Sequence, residues 1–112
     1  MNYTIKNQKL TLEISSRGGE FQSIRDAQGR EYLWQGDAAT WTDRGPNLFP
    51  YIGRMTDQSY TYQGQTYHMD IHGFLPTAEL NLVEHKEEEL TLRLEDSPET
   101  ERQYPFKFVL DI

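Results

Sequence analysis

Apolar residues alternate with polar residues along most of this chain, and this alternation limits its possible folds more than any other feature. In Leu10–Ile14 and Leu90–Leu94, every second residue is apolar. Side chains two apart along an extended strand share a face, so the pattern predicts strands with one buried face. No segment of about ten or more residues has the period of an amphipathic helix. The pattern therefore predicts an all-β chain.

The alternating segments are short and recur at roughly ten-residue intervals, separated by glycine-rich turns. This spacing predicts about eight or nine strands in an antiparallel β-sandwich, within a single domain that covers residues 1–112. Gln35–Pro46 has neither period and is predicted to be a long loop that carries Trp41. The predicted strands are Tyr3–Ile5, Leu10–Ile14, Phe21–Ile24, Tyr32–Trp34, Tyr60–Tyr62, Tyr67–Met69, Ala78–Leu82, Leu90–Leu94 and Phe106–Leu110.

The apolar content is low for a free-standing β-sandwich. Only 36% of the residues are hydrophobic, and the mean hydropathy is -0.81. Burial would then be modest unless a partner or further chain covers one face. The last alternating run, Phe106–Ile112, stops without a turn or a polar tail. We therefore expect a portion of a longer protein, whose open strand edges self-associate.

Charge and composition exclude several classes of function. Eighteen acidic residues against eleven basic residues give a net charge of -7, which opposes binding to nucleic acid or to an anionic membrane surface. No cysteine is present, so disulfides and thiolate metal sites are excluded. The first residues alternate instead of forming an apolar run, which argues against a signal peptide or a membrane helix. A cytoplasmic protein is expected.

The chemically most versatile side chains lie close together between Asn47 and Pro76. Arg54 follows Gly53, whose missing side chain allows a close backbone approach, and its planar guanidinium can donate paired hydrogen bonds. His72 can serve as a hydrogen-bond donor or a general acid near neutral pH. The spacing is equally compatible with a surface salt bridge for Arg54 and a structural turn position for His72.

A metal site is the alternative chemistry for this stretch. His68, Asp70 and His72 are two apart, so in an extended segment they share a face and could present three ligands. No cysteine or further nearby histidine completes a tetrahedral set, so we predict no metal site and a structural role for His68. The acidic run Glu87–Glu89 is interpreted as the solvated end of a hairpin.

Several short motifs, in this order and spacing, resemble the aldose 1-epimerase (galactose mutarotase) superfamily, particularly its LacX-like branch. The central ones are Gly53-Arg54, a Tyr-Xaa-Gly-Xaa-Xaa-Tyr hairpin at Tyr62–Tyr67, and His72-Gly73-Phe74. The upstream ones are Gly18-Gly19-Glu20, the segment Asp26–Trp34, and Asn47-Leu48-Phe49-Pro50 after the Trp41 loop. The resemblance covers essentially the whole chain, although members of the family are considerably longer.

The resemblance implies an antiparallel β-supersandwich and an enzyme that interconverts the α and β anomers of an aldose such as galactose or glucose. It implies that Arg54 and His72 contact the sugar, and that a histidine acid and a glutamate base come from later strands. His85 and Glu87–Glu89 lie in a charged turn and are not assigned these roles. The reaction implied needs no cofactor, and this chain alone is expected to be inactive.

The resemblance leaves the substrate and the activity open. Leu75-Pro76 follows His72-Gly73-Phe74, where related sugar-phosphate mutarotases tend to carry Ala-Arg, which argues against a phosphorylated substrate. A non-catalytic carbohydrate-binding β-sandwich is the alternative function. A third possibility is a β-sandwich interaction protein in which Arg54 and His72 are structural.

Overall fold

A computed structural model describes all residues from 1 to 112 and contains eight strands, all in antiparallel pairs. The all-β fold class predicted from the alternation is confirmed. No helix in the chain is both long and apolar enough to cross a membrane. The elements are β1 (Asn2–Lys6), β2 (Leu10–Ser15), β3 (Phe21–Asp26), β4 (Ser59–Tyr62), β5 (Gln65–His68), β6 (Asn81–His85), β7 (Leu90–Glu95), α1 (Pro98–Glu101) and β8 (Val109–Asp111), with 3₁₀ turns at Thr56–Gln58 and Leu75–Thr77.

The first sheet has the strand order β1-β2-β3 and begins with the predicted hairpin. Tyr3 pairs with Ile14 across β1 and β2. The Asn7 side chain closes the turn, because its Oδ1 accepts hydrogen bonds from the main-chain N–H groups of Lys9 and Leu10 at 2.8 and 3.0 Å. An Asn side chain that mimics a backbone turn in this way is typical of such positions, and the predicted hairpin is confirmed.

The second sheet is the two-stranded hairpin β4-β5. Its turn consists of Gln63 and Gly64, both with positive φ (48° and 77°), as the tight turns between twisted strands require. Tyr60 faces Tyr67 across the strands, with stacked rings whose centroids are 5.4 Å apart. The hairpin is confirmed, and these two tyrosines form a cross-strand packing pair.

The third sheet has the order β6-β7-β8 and holds the most buried side chain, Leu92, which is 0% exposed. The last strand is shorter than predicted. Phe106 and Phe108 lie outside β8, because the Phe106 N–H donates to the Tyr104 carbonyl at 2.8 Å and the Phe108 N–H donates to the Asp96 carboxylate at 3.1 Å. The predicted polar connection before it contains α1, which is capped by reciprocal hydrogen bonds between Ser97 and Thr100.

The core is small and lies between the first and third sheets. Its four fully packed members are Ile14, Leu75, Leu80 and Leu92. Only 11 of the 112 residues are buried, and the molecule measures 56 × 35 × 18 Å. Its radius of gyration, 16.4 Å, exceeds the value of about 13 Å expected for a compact domain of this length. The chain is therefore an extended, thin layer of strands with an incomplete core.

The predicted strand Tyr32–Trp34 is wrong. Only Glu31 makes an isolated bridge, to Arg25. The Glu31 carboxylate accepts hydrogen bonds from the main-chain N–H groups of Ile24 at 2.8 Å and Leu33 at 3.0 Å, and from the Ser23 hydroxyl. A side chain thus takes the place of a strand ladder at this position, and the predicted long loop follows it.

These hydrogen bonds lead to a prediction about acid stability. The main-chain N–H of Ile24, followed by the Ser23 hydroxyl, lowers the pKa of Glu31 below its ordinary value of 4.5. A lowered folded-state pKa means that the unfolded chain binds the proton more readily, so this stabilisation is present above pH 4.5 and is lost as the pH falls through the folded-state pKa. Glu31→Gln should lower the melting temperature at neutral pH and flatten its dependence on pH in the acid range.

Thermal melts followed by circular dichroism at a series of pH values would test this. The matched control is Glu88→Gln, since Glu88 is exposed and its side chain forms no hydrogen bond or ion pair within the chain. Identical pH profiles for both variants would contradict the role given to Glu31.

Candidate functional site

His72 occupies a turn between β5 and the second 3₁₀ segment, against the segment that carries Arg54. Its main-chain N–H donates a hydrogen bond to the Gly53 carbonyl at 3.1 Å. Its φ of 69° lies in the left-handed region, which few non-glycine residues adopt. Its ring Nδ1 hydrogen bonds to the Ile52 carbonyl. The two predicted sugar contacts therefore belong to one connected unit of backbone.

The tautomer of His72 follows from this contact. A carbonyl oxygen only accepts hydrogen bonds, so Nδ1 carries a proton and donates a hydrogen bond to the Ile52 carbonyl. In the neutral ring, Nε2 is then an acceptor, and in the protonated ring it is a donor. The ring position is thus fixed while Nε2 keeps its capacity for a ligand.

Phe49 and Gly73 connect the two segments. The Phe49 N–H donates to the His72 carbonyl at 3.2 Å, and the Phe49 carbonyl accepts from both Phe74 and Leu75 at 3.1 Å. At Gly73, φ is +75° and an added Cβ would lie 2.2 Å from the Phe49 carbonyl oxygen. Only glycine allows this close approach, which explains the residue that follows His72.

Gly73→Ala should therefore destabilise the chain strongly. The left-handed conformation alone costs an alanine about 1–2 kcal/mol, and the clash with Phe49 adds to that cost. We expect a melting temperature at least about 8 °C lower, using the usual scaling for small domains. Gly29→Ala is the matched control, because Gly29 also has positive φ (84°) but a Cβ there would meet nothing within 4 Å. Equal losses in the two variants, measured by thermal melts, would contradict the packing argument.

An aromatic cluster supports this unit from one side. The Phe49 ring contacts the rings of Phe74, Tyr104 and Phe108 at centroid distances of 5.9, 5.8 and 5.2 Å. Phe74 and Phe108 are themselves stacked at 5.9 Å. Such edge-to-face and offset contacts restrict the rings, so the backbone segments that position His72 pack against an ordered aromatic cluster.

Arg54 is exposed, and its guanidinium makes no hydrogen bond or ion pair with the protein. The alternative of a surface salt bridge is therefore not realised in this structure. No direct contact joins the Arg54 and His72 side chains. That both residues contact the sugar, as the resemblance implies, stays a prediction.

A small cavity of about 150 Å³ lies beside this segment, and sequence reasoning did not identify it. Its lining includes Tyr51 and Met55, which flank Gly53-Arg54, together with Tyr60 from β4. Burial raises the pKa of Tyr60, whose hydroxyl donates to the Gln103 carbonyl at 2.5 Å. Tyr51 is 44% exposed, so its ring is accessible to a ligand. The closeness of Tyr51 to Arg54 in the sequence was the one feature that could have indicated this cavity.

The metal alternative finds no support in the geometry. Nowhere in the chain do three His, Cys, Asp or Glu side chains cluster as metal ligands would. His68 ends β5 and is exposed, whereas Asp70 lies in the turn before His72 and its carbonyl accepts the Gly73 N–H at 3.0 Å. His68, Asp70 and His72 therefore do not come together as a set of metal ligands.

His85 and the acidic run Glu87–Glu89 lie at the hairpin between β6 and β7, as predicted. The His85 Nε2 is 2.8 Å from the Thr4 carbonyl, and its ring packs edge-on against Tyr3 at 5.5 Å. Lys86 pairs with Glu84 at 2.6 Å and Glu89 at 3.4 Å, and the hydrogen bonds to these carboxylates raise its pKa. This is the charged turn predicted for Glu87–Glu89, confirmed by the β6–β7 pairing.

Comparisons with known proteins agree with the motifs. The sequence model of the aldose 1-epimerase family matches residues 1–112. The chain is 32% identical over 117 residues to the plasmid-encoded protein LacX of Lactococcus lactis subsp. lactis, covering 100% of this chain and 39% of that protein.

Two solved structures have nearly the same fold. A galactose mutarotase related enzyme from Lactobacillus acidophilus superposes with a TM-score of 0.96 and 40% identity, over 99% of this chain and 37% of that one. A galactose mutarotase-like protein from Lactobacillus casei ATCC 334 gives a TM-score of 0.94 and 32% identity, over 99% and 38%. The chain thus spans less than two-fifths of the length of each of these relatives.

Proposed function

We propose, because this chain belongs to the aldose 1-epimerase family, that it forms the sugar-binding amino-terminal part of an enzyme that interconverts the α and β anomers of an aldose such as galactose or glucose. The observation that carries this proposal is the fixed position of His72. Its ring is held at Nδ1 by the Ile52 carbonyl, while Nε2 remains available for a sugar hydroxyl or the ring oxygen.

The reaction consists of proton transfers and one bond rotation. A base removes the proton of the anomeric hydroxyl while an acid protonates the ring oxygen, so the C1–O5 bond breaks and an open-chain aldehyde forms. Rotation about the C1–C2 bond presents the other face of the carbonyl, and closure gives the other anomer. No electrons are exchanged, so the proposed reaction requires no cofactor.

In this proposal, Arg54 and His72 bind and orient the sugar but do not serve as the catalytic acid or base. The planar guanidinium of Arg54 has no partner in the protein and can donate paired hydrogen bonds to neighbouring hydroxyls. The exposed ring of Tyr51 offers a flat surface for the C–H face of a pyranose. Holding the substrate in one pose is a substantial part of catalysis, while the resemblance assigns the acid and the base to later strands.

An unphosphorylated aldose is the substrate we propose. Leu75 is only 2% exposed and belongs to the core, and Pro76 has no N–H to donate. A phosphate group would find no charged donor at these two positions, where sugar-phosphate relatives tend to carry an arginine. The absence of cysteine agrees with a cytoplasmic location, which we also propose.

Polarimetry tests this function. The full-length protein should accelerate the optical rotation change of freshly dissolved galactose or glucose, and glucose 6-phosphate should be the poorer substrate. Binding of these sugars without any acceleration would instead favour the non-catalytic carbohydrate-binding function. Neither binding nor acceleration would favour the interaction protein.

A further inference from the structure

A second cavity, larger and polar, lies apart from the residues proposed to bind the substrate. Its volume is about 430 Å³, within the range of about 300–1,000 Å³ that is usual for ligand pockets. It is bordered by the start of β3, the end of the long loop and the second 3₁₀ segment. Its lining contains no aliphatic or aromatic side chain apart from the rings of Pro46 and Pro76.

The walls of this cavity are fixed by hydrogen bonds between side chains and the main chain and by one close main-chain approach. The Glu20 Oε1 accepts hydrogen bonds from the N–H groups of Arg44 at 2.8 Å and Gly45 at 3.1 Å, which join the residue before β3 to the loop. On the opposite side, Gly18 packs so closely that an added Cβ would lie 2.9 Å from the Pro76 carbonyl oxygen. The Asn47 amide donates to the Gly18 carbonyl at 3.0 Å. The cavity is therefore formed in advance of any ligand.

The polar groups of the lining include several that the protein leaves unused. The Arg17 guanidinium and the Asp43 carboxylate make no hydrogen bond or ion pair within the chain. Glu20 uses only Oε1, and the Gln22 side-chain oxygen also has no protein partner. The cavity thus offers both donors and acceptors to a ligand.

These groups select a class of ligand. Two carboxylates against one guanidinium disfavour an anion, and the polar lining disfavours an apolar molecule. A hydroxyl group both donates and accepts, so neighbouring hydroxyls can pair with a carboxylate and a guanidinium together. The two proline rings can contact the C–H groups of such a ligand.

We propose that this cavity is a second binding site, for a neutral polyhydroxylated ligand such as a glycoside, and that it acts independently of Arg54 and His72. Its lining shares no residue with the cavity beside Arg54. The site is distinct from the proposed activity, because a ligand bound in this cavity would not undergo anomer interconversion.

Titration of the isotope-labelled full-length protein with methyl β-galactopyranoside, whose anomeric configuration is locked, tests the proposal by two-dimensional amide NMR. The amides of Gly18, Gly45 and Thr77 report on this cavity, whereas those of Gly53 and Gly73 report on the proposed substrate site. We expect saturable shifts in the first group, and inorganic phosphate should not reproduce them. No shift in the first group, or equal shifts with phosphate, would overturn the proposal whatever the second group shows.

Variants then assign the binding to these side chains. Arg17→Gln combined with Asp43→Asn should weaken binding at the Gly18 reporter by about tenfold or more, as for the loss of a charged hydrogen bond. The control pair Lys9→Gln and Glu99→Gln makes the same charge changes elsewhere and should bind like the wild type. His72→Ala should leave the Gly18 shifts intact. Unchanged affinity in the Arg17 and Asp43 variant would refute the site.

Discussion

Replacing His72 by alanine in the full-length protein should lower kcat/KM for anomer interconversion by about tenfold to a thousandfold, because it removes a preorganised hydrogen-bonding group, and loss of one such group can cost up to about a thousandfold. The structure gives the physical reason. The His72 ring is held by the Ile52 carbonyl in a left-handed turn, and alanine has no ring nitrogen to take the place of Nε2. The loss should appear in both kcat and kcat/KM if the interaction strengthens in the transition state.

The companion variant Arg54→Lys keeps the positive charge and removes the paired donors. Because lysine is a point charge on a flexible stem, we expect a loss within the same range. His68→Ala is the matched control, since His68 is an exposed histidine of the same region whose ring makes no hydrogen bond. Polarimetric rates at the wild-type level in both His72→Ala and Arg54→Lys would remove the site hypothesis.

Much of the fold could be predicted because alternation reports directly on which face of a strand is buried. It located the β1–β2 and β6–β7 pairs, and glycine and asparagine marked the turns. The failure at Tyr32–Trp34 has a physical cause. Tyr32–Trp34 has strand-forming residues, but the Glu31 carboxylate binds the N–H groups that a ladder would use. The alternation of apolar and polar residues does not reveal when a side chain competes with a partner strand for the main-chain N–H groups.

The site was predictable only in part. Arg54 and His72 could be selected from motifs and their order, but the contacts that hold His72 are with the carbonyl oxygens of Ile52 and Gly53 and with the main-chain N–H of Phe49. Main-chain carbonyls are present at every residue, so the sequence does not distinguish those that bind. The close backbone approach expected at Gly53 occurs at Gly73 instead: an added Cβ at Gly53 would lie 3.9 Å from the Tyr51 ring, whereas one at Gly73 would lie 2.2 Å from the Phe49 carbonyl oxygen.

The 112-residue chain by itself should leave sugar anomerisation at the uncatalysed rate. The resemblance assigns the acid and the base to later strands, and His85 and Glu87–Glu89 lie at the β6–β7 hairpin, in a part of the fold separate from Arg54 and His72. The Nε2 of His85 lies at the Thr4 carbonyl, and Glu84 and Glu89 pair with Lys86. Polarimetry of freshly dissolved galactose, in a buffer that catalyses the reaction poorly, should show no dependence on protein concentration. Acceleration that disappears in His72→Ala would mean that this chain carries its own acid and base.

The same chain should self-associate, because its apolar surface is incompletely covered. A groove of about 160 Å³ between the first and third sheets is lined by seven residues, all apolar. Phe21, one of them, is 39% exposed. The thin shape of the molecule, 18 Å across its shortest axis, leaves no second layer over this groove. Exposed apolar grooves and open strand edges favour contact with another copy.

Sedimentation velocity should therefore show dimers or larger species, and more of them at higher salt, since screening weakens the repulsion between chains with a net charge of -7. Phe21→Lys places a charge in the groove and should shift the population toward monomer. Ile52→Lys makes the same kind of change at a residue that is 74% exposed and outside the groove, so it should associate like the wild type. A wild-type chain that remains monomeric at high salt, or association unaffected by Phe21→Lys, would refute the groove as the contact surface.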